Sequence, residues 1–354
     1  MHSRPDLEDG ILAILDELLD HGHRPIILCE QALGSPNAAP SPKAHVRAVH
    51  KNSLRGRYHF LTARTVITTH GVYRPHRRPR RQQIVNIWHG EPLAKPVGHL
   101  IGNEAIESSW ATTLSSIGKA FRCAEFGLHP DRVLVVGAPR NDRLVRAERH
   151  TIRARIACDD TESISVWLPT FRGSTERQRP DGIPFRGMVP LPEHELDELD
   201  QWLAHNNSTL LIKPHPTALR SAPLKRYNRI HAVSSDWLAT RGLTLYTLLA
   251  GVDCLITDAS SVWVDFLLTQ KPIIFVFPDV EAYSRTRGFN LEPYPEWVPG
   301  PLVADGAGLL GELQALHGGK DGYVAARRSA KARFHRYDDD RSSHRVLAAV
   351  GLTR

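Results

Sequence analysis

The chain has 354 residues, of which 41% are hydrophobic and 23% are charged, and its 45 Lys and Arg against 38 Asp and Glu give a net charge of +7. At roughly 150 residues per domain this length suggests two domains, and the composition excludes a disordered or collagen-like chain. No apolar run approaches the roughly 20 residues of a membrane-spanning helix, and the first nine residues lack a signal-peptide pattern, so we expect an intracellular protein.

The four cysteines argue against a disulfide framework or a structural zinc site, because no C-x-x-C pair occurs among them. Cys29, Cys158 and Cys254 lie in or beside apolar runs, which is typical of buried, reduced thiols. The 19 histidines include no H-E-x-x-H motif and no tight His/Asp cluster. We therefore predict no metal site and no cofactor.

Short apolar runs alternate with helical patterns almost throughout the chain, and a helical stripe at Leu12, Leu15, Leu18 and Leu19 opens the series. The predicted strands are, in chain order, residues 25–29, 65–69, 83–88, 132–136, 163–168, 209–213, 254–257 and 272–277. The predicted helices are residues 103–123, 140–157, 192–205, 243–251 and 260–269, and a last helix from residue 322 that could cross back to the first domain. Strands that alternate with helices favour parallel sheets covered on both faces.

A domain boundary is predicted at residues 150–162, where an arginine-rich helix ends in a polar run before a new strand begins. This places an N-terminal domain at residues 1–158 and a C-terminal domain at residues 159–354. Residues 172–191 are rich in Gly and Pro, which predicts a mobile or ligand-covering loop. The expected architecture is two α/β domains that face a cleft.

Ligands of open α/β sheets bind beyond the carboxyl ends of the strands, so polar residues that follow predicted strands are the first candidates for a site. The strand that ends at Trp88 leads into His89 and Gly90, where the glycine allows a ligand to approach the backbone. A neutral imidazole at this place could accept the proton of an attacking hydroxyl group. The alternative is a turn histidine that is hydrogen-bonded to the backbone.

A second strand end carries Lys213 and His215, separated by a proline that fixes the direction of the chain. Two rigidly placed cationic or hydrogen-bonding groups suit an anionic ligand, and the alternative is a strand end with two solvated side chains. A weaker candidate is the end of the strand at residues 163–168, where Thr170 and Arg172 provide a hydroxyl and a forked guanidinium that suits phosphate.

The third strand end is Thr257-Asp258-Ala259-Ser260-Ser261, which leads into a predicted helix. Free backbone N–H groups and the helix dipole favour an anion there, and the two hydroxyls add donors. Serine is also a common N-cap that needs no ligand, and both roles can hold at once. The match of residues 306–311 to the dinucleotide pattern G-x-G-x-x-G is set aside, because too little chain follows it for a complete βαβ unit.

Taken in order, several motifs resemble the CDP-glycerol glycerophosphotransferase family, which includes teichoic acid primases and polymerases. The matching segments are W-H-G-x-P-L at residues 88–93, G-x-P-R-N-D-x-L at 137–144, P-T-F-R at 169–172, H-P at 215–216, T-D-x-S-S at 257–261 and its continuation at 265–274, and Tyr…R-G-F…P-G-P at 283–301. Together with the tail motif they span residues 83–345.

The resemblance implies a GT-B-like α/β fold, with two Rossmann-like domains that face a central cleft, an acceptor-side N-terminal domain and a C-terminal domain for the CDP-alditol. It implies transfer of glycerol phosphate, or another alditol phosphate, from a CDP-activated donor to a hydroxyl of a cell-envelope polymer or lipid-linked acceptor, with release of CMP. His89 resembles the base of the family and His215 its second catalytic histidine. The other residues expected to bind substrate are Gly90, Thr170, Arg172, Lys213, Asp258, Ser260 and Ser261.

The chain departs from the family pattern at three places. Glu91 stands where Thr is usual, which puts an anion near the expected acceptor path, and Ala94 replaces a Lys. The tail motif D-G-K-x-S reads Asp339-Asp340-Arg341-Ser342-Ser343. These departures leave the acceptor and the alditol open more than the type of reaction. The sequence also leaves open the choice between primase and polymerase.

Most of the net positive charge belongs to one segment of eight residues, because the net charge falls from +7 to +2 without its five arginines, Arg74, Arg77, Arg78, Arg80 and Arg81. We expect this segment to contact anionic lipid head groups at the inner face of the cell membrane, or an anionic polymer acceptor. A solvated loop is the alternative. Nucleic acid is not expected as a partner, because aromatic side chains are not interleaved with the arginines.

Two other functions compete with the phosphotransferase. A GT-B glycosyltransferase would use a nucleotide sugar and release a nucleoside diphosphate instead of CMP. A non-enzymatic polyanion-binding protein would not need His89 or His215.

Overall fold

The computed structural model describes the whole chain except residues 4–5, 31–45, 72, 74–80, 99–101, 103–105, 157, 159–160, 171, 173–181, 186, 215–226 and 354. The helices are α1 (Asp9–Asp20), α2 (Leu54–Thr62), α3 (Ser116–Phe126), α4 (Pro139–Arg146), α5 (Arg149–Arg155), α6 (Glu193–His205), α7 (Ser235–Thr240), α8 (Leu245–Gly251), α9 (Val262–Phe266), α10 (Val280–Thr286), α11 (Tyr294–Trp297), α12 (Gly306–His317), α13 (Val324–Phe334) and α14 (Ser342–Ala349). The strands are β1 (Ile26–Cys29), β2 (Arg47–His50), β3 (Thr65–Thr68), β4 (Gln83–Asn86), β5 (Trp110–Thr113), β6 (Val133–Val135), β7 (Ser163–Leu168), β8 (Ser208–Ile212), β9 (Ile230–Ala232), β10 (Cys254–Thr257), β11 (Ile273–Val276) and β12 (Leu302–Val303).

The N-terminal half contains a parallel sheet in the order β3-β4-β5-β6 and a parallel pair, β1-β2. The first residues of the chain join them, because the amide of His2 donates to the carbonyl of Ile67 (3.0 Å) and the amide of Leu28 donates to that of Met1 (2.8 Å). The apolar stripe of α1 is buried against β1, β3 and β4. His89 therefore follows a central, fully covered strand.

The C-terminal half is built on six parallel strands in the order β9-β8-β7-β10-β11-β12. This is the Rossmann order, in which the direction of winding reverses between the first and the fourth strand. Here the reversal lies between β7 and β10, which end at Leu168 and Thr257. The crevice beyond these two strand ends is the expected ligand position.

The end of the chain packs on the N-terminal half. Val346 and Leu347 of α14 share a buried cluster with Ile11 and Leu15 of α1. The Asp142 carboxylate accepts hydrogen bonds from the amides of Ser342 (2.8 Å) and Ser343 (2.7 Å) at the start of α14. The tail motif at residues 339–343, which diverges from the family pattern, therefore lies where α14 contacts α4.

Three sequence expectations differ from the structure. Residues 103–123 were expected to be one helix, but β5 occupies 110–113, where a Trp and β-branched Thr favour a strand. The helix expected at 140–157 is divided into α4 and α5, and the one expected from 322 into α13 and α14. The strands β2, β9 and β12 were missed because two to four residues carry too little periodicity.

Among the described residues, no helix combines the length and the hydropathy that crossing a bilayer requires.

Candidate active site

His89 lies in a constrained turn directly after β4. The preceding residue, Trp88, has a φ of +42°, a left-handed conformation that is rare for a bulky side chain and costs energy. Its amide donates to Oδ1 of Asn86 (3.0 Å), and its ring packs against Phe126 (5.1 Å between centroids). Backbone strain of this kind persists where the surrounding structure fixes it, which is common at functional sites.

Two buried arginines fix the peptide groups on either side of His89. Arg140 donates from Nη1 to the carbonyl of Trp88 (3.1 Å), and Arg122 donates from Nη2 to the carbonyl of Gly90 (2.8 Å). Both side chains are almost completely buried. The position of the imidazole is therefore set by two charge-assisted hydrogen bonds to the carbonyls of the residues before and after His89.

Each arginine is itself held by acidic groups. The Arg140 guanidinium makes a forked pair with Asp265 (2.9 and 3.1 Å), and the same carboxylate accepts from the Tyr246 hydroxyl (2.6 Å). Arg122 donates to Glu125 (3.2 Å). None of these five residues was assigned to the site from the sequence. Arg140 and Asp265 lie in family motifs, which was an available signal, whereas Arg122, Glu125 and Tyr246 lie in none of those motifs.

The tautomer of His89 is assigned from its hydrogen bond. Nδ1 donates to the carbonyl of Thr69 (3.2 Å), so Nε2 carries the lone pair. The ring stacks on His70, with 4.1 Å between centroids and 5° between planes, and the side chain still reaches solvent. The crowded protein around the ring, with the positive charges of Arg140, Arg122 and Lys95, lowers the pKa of His89 to about 4. At neutral pH the imidazole is uncharged and can accept a proton at Nε2.

Glu91 does not lie on an open acceptor path, so that expectation is wrong. Only 4% of the residue is exposed. Its carboxylate accepts hydrogen bonds from the Thr113 hydroxyl and from the Leu114 amide (3.3 Å), and it lies 4.0 Å from Arg122. Burial raises the pKa of Glu91. Glu91 therefore helps to hold the buried Arg122 side chain in place.

In the C-terminal half, Thr170, Arg172 and Asp258 form a buried network at the ends of β7 and β10. The Asp258 carboxylate accepts from the amide of Thr170 (3.0 Å), from its hydroxyl (2.5 Å) and from Nη1 of Arg172 (3.0 Å). Arg172 also makes a forked pair with Asp279 (2.9 and 3.2 Å). The network joins the two strands at the point where the sheet reverses. Substrate contact by these three residues stays a prediction.

The two serines that follow β10 meet the turn that carries His89. Ser260 and Ser261 are half-buried, and within the described part of the chain neither hydroxyl makes a hydrogen bond. A methyl group added at Gly90 would lie 2.4 Å from Oγ of Ser261. The helix that they precede, α9, has only five residues, so the hydroxyls provide more of this surface than the helix dipole does. The predicted residues His89, Gly90 and Ser261 are thus brought together.

Lys213 follows β8, and its amide donates to the carbonyl of Trp167 (3.0 Å). Burial lowers the pKa of this lysine, and the negative charge of Asp9 opposes the effect. His215 lies outside the described residues, as do Arg74, Arg77, Arg78 and Arg80, whereas Arg81 is described and exposed. The catalytic role of His215 stays a prediction.

The segment after the His89 turn is anchored to the C-terminal half. Asn290 donates from Nδ2 to the carbonyl of Pro92 (2.8 Å), and Arg287 donates from Nη2 to that of Pro96 (2.9 Å). Two family motifs, W-H-G-x-P-L and R-G-F, therefore meet in space across the cleft.

One cluster of potential metal ligands occurs among the described residues, at the contact of α1 with α14. Oε1 of Glu17 lies 2.9 Å from Nδ1 of His344 and 3.4 Å from Nε2 of His21. These distances are those of hydrogen bonds and ion pairs, which connect the two helices without a metal. None of the three is a predicted site residue, and the absence of a metal from the reaction stays a prediction.

Comparison with known proteins identifies the family of the chain. The model of the family described as CDP-glycerol:poly(glycerophosphate) glycerophosphotransferase matches residues 3–352. A teichoic acid ribitol-phosphate primase of Bacillus spizizenii is 26% identical over 316 residues, which cover 82% of this chain and 75% of the relative. A teichoic acid glycerol-phosphate primase of Bacillus subtilis is 26% identical over 223 residues, which cover 63% of this chain and 52% of the relative.

Solved structures show the same fold. The wall teichoic acid polymerase TagF superposes with a TM-score of 0.81 at 20% identity, over 99% of this chain and 87% of that one. A putative UDP-N-acetylglucosamine 2-epimerase from Listeria monocytogenes superposes with a TM-score of 0.55 at 13% identity, over 99% and 94% of the two chains. The predicted GT-B-like fold and transferase class are confirmed. With its family model matched from residue 3 to residue 352, the chain belongs to the CDP-glycerol glycerophosphotransferase family.

Proposed function

We propose that this chain transfers an alditol phosphate from a CDP-alditol to a hydroxyl group of a cell-envelope polymer or lipid-linked acceptor. The observation that carries the proposal is an uncharged, solvent-accessible histidine in a turn whose next residue, Gly90, contacts Ser261, one of two serines whose hydroxyls make no hydrogen bond within the described residues. Phosphoryl transfer requires positioning and neutralisation of oxygens more than covalent chemistry, and this arrangement offers both.

In the proposed reaction, Nε2 of His89 takes the proton of the acceptor hydroxyl. The oxygen then attacks the phosphorus that bears the alditol, and the bond from this phosphorus to the bridging oxygen breaks on the opposite side. CMP leaves with that oxygen, and the products are the extended acceptor, CMP and one proton. A backbone carbonyl holds Nδ1, so only Nε2 is available for the transfer.

The donor would lie at the reversal of the C-terminal sheet. We assign contacts to its phosphates to the hydroxyls of Ser260 and Ser261 and to the ammonium group of Lys213. Thr170, Arg172 and Asp258 would keep the strand ends in place, and Gly90 would allow the Ser261 hydroxyl to lie against the His89 turn. His215 is assigned near the transferred phosphoryl group by its family motif alone.

A donor screen tests the activity. The protein is incubated with an acceptor and CDP-glycerol, CDP-ribitol or UDP-sugars, and the released nucleotide is identified. We expect CMP from a CDP-alditol. Release of UDP from a sugar donor would favour the glycosyltransferase alternative, and no turnover with any donor would favour a polyanion-binding protein.

The proposal includes peripheral attachment to the inner face of the cell membrane through the arginine segment at residues 74–81. Each Lys or Arg near an anionic bilayer contributes about 1 kcal/mol of attraction, which salt weakens. Replacing Arg77, Arg78, Arg80 and Arg81 with Gln should weaken binding to anionic vesicles, and the loss should be greatest at low salt. Unchanged vesicle binding would refute this contact.

A further inference from the structure

An exposed apolar stripe lies on α2. Leu54, Tyr58 and Leu61 are exposed at 87%, 63% and 48% of their surface, and they are three of the seven large apolar side chains that are exposed in the described part of the chain. Their spacing of four and three residues places them on one side of the helix, within about 40° of its middle at 100° per residue. The stripe is therefore a continuous feature and not a scatter of single residues.

The stripe cannot turn inward. The opposite side of α2 is buried through Gly56 and Phe60. A methyl group at Gly56 would lie 2.4 Å from the carbonyl oxygen of His50 and 2.6 Å from that of Lys51, so this side of the helix already touches backbone. Phe60 packs in a cluster with Val49 and Val66. The packing of α2 therefore leaves the apolar stripe on the protein surface.

Basic side chains border the stripe. Arg55 and Arg57 flank it on the two sides of α2, and Arg64 follows the end of the helix. All three are exposed, and none makes a hydrogen bond or an ion pair within the described residues. From Arg47 to Arg64 the sequence contains no acidic residue. Long basic side chains beside apolar ones can keep their charge at head-group level while the apolar groups enter a bilayer.

The arginine segment is tethered to the same helix. Its entry residue, Tyr73, packs edge-on against Phe60 (4.8 Å between centroids). After the segment, the Gln82 side chain donates to the carbonyls of Phe60 (2.5 Å) and Ala63 (3.1 Å). The described residues before and after the segment therefore both contact α2, on its buried side at Phe60 and at its C-terminal end at Ala63.

We propose that α2 is the membrane-inserting element of this protein: Leu54, Tyr58 and Leu61 enter the head-group region of an anionic bilayer, and Arg55, Arg57 and Arg64 bind lipid phosphates. A bilayer fits this surface better than a protein partner does. One stripe of three side chains on a helix of nine residues offers far less than the roughly 800 Å² per partner of a stable protein interface. The inference rests on the proposed membrane contact and adds to it an apolar component that salt does not screen.

The test measures co-sedimentation of the full chain with vesicles of phosphatidylcholine containing 30% phosphatidylglycerol, at low and high salt. The stripe variant is Leu54→Ser/Tyr58→Ser/Leu61→Ser. The matched control, Tyr323→Ser/Val324→Ser, removes exposed apolar side chains elsewhere. We expect the stripe variant to bind vesicles about tenfold more weakly at both salt concentrations and the control to bind like the wild type. Thermal unfolding and CMP release to a water-soluble acceptor should be unchanged.

Four outcomes separate this inference from the proposal on which it rests. If the stripe variant binds like the wild type while the arginine-segment variant does not, the role of α2 is refuted and the membrane contact stands. If the wild type binds no vesicles, both are refuted. If the stripe variant changes the oligomeric mass of the protein instead of vesicle binding, the stripe is a protein interface. If CMP release fails in every variant and in the wild type, the activity is refuted independently of vesicle binding.

Discussion

The arginine that holds the Trp88 carbonyl offers a direct test of how His89 is positioned. Arg140→Lys keeps a positive charge opposite Asp265 but removes the planar fork. In the structure the guanidinium makes two hydrogen bonds to Asp265 (2.9 and 3.1 Å) and one to the carbonyl of Trp88 (3.1 Å). The lysine side chain is shorter and has a single nitrogen, so it cannot make all three of these hydrogen bonds. Because the carboxylate attracts an ammonium group more strongly than a carbonyl does, we expect the contact to Trp88 to be lost.

The loss of stability depends on which buried groups lose their hydrogen-bond partner. A buried carbonyl without a donor costs about 1–3 kcal/mol, whereas removal of the whole ion pair, as in Arg140→Leu, costs about 3–5 kcal/mol. Fewer contacts then hold Trp88 in its left-handed conformation, so the turn relaxes and carries His89 with it. A shift of about 1 Å at a reacting group lowers a rate about a hundredfold.

We therefore expect Arg140→Lys to lower kcat for CMP release by about 10- to 100-fold and to leave the KM for the CDP donor within about threefold. Urea unfolding measures the stability loss separately. Arg143→Lys is the control, because Arg143 lies on the same helix and pairs with Asp16 (3.2 Å) without touching the His89 turn. A normal kcat in Arg140→Lys, or an equal loss in Arg143→Lys, would refute the positioning argument.

Three further predictions concern the same turn. Since the pKa of His89 lies near 4, kcat/KM for CMP release should stay flat through pH 6.5 and fall only as pH approaches about 4, and an inflection at pH 6.5 would contradict this. The same lowered pKa affects stability, because between about pH 4 and 6.5 the unfolded chain binds the proton of His89 more tightly than the folded chain does. The contribution of His89 to the free energy of unfolding therefore rises with pH over this range. Gly90→Ala should push the Ser261 hydroxyl aside, lowering kcat/KM about tenfold with little change in Tm, and an unaltered rate would remove the serine from the donor site. Glu91→Gln should lower Tm while leaving the choice of acceptor unchanged, and a changed acceptor profile would return this residue to the acceptor path.

Much of the fold follows from local patterns, and the exceptions have physical reasons. The buried runs that became β7, β8, β10 and β11 were predicted because strands covered on both faces read as continuous apolar segments. Edge strands such as β9 and β12 contain only two or three residues, so no periodicity marks them. β5 was mistaken for part of a helix because its Trp-Ala-Thr-Thr sequence is short and weakly apolar.

The sequence predicted residues that could carry out the chemistry, but it did not predict the residues that hold them in position. His89, Gly90 and Ser261 come directly after strands, and strand ends of parallel sheets meet at one edge, so their proximity could be inferred. Arg122, by contrast, reaches Gly90 from 32 residues further along the chain, a contact that only the packing of α3 creates. Glu91 was misplaced for the same reason, because its burial depends on Thr113 and Arg122.

The central claim is that His89 removes the proton of the acceptor hydroxyl. Single-turnover release of CMP from bound CDP-alditol, compared between the wild type and His89→Ala, tests it most directly, with donor affinity measured on the same preparations. We expect a rate loss of about 10²- to 10⁴-fold in His89→Ala with donor affinity nearly unchanged. A His89→Ala rate within a few-fold of the wild type would contradict it.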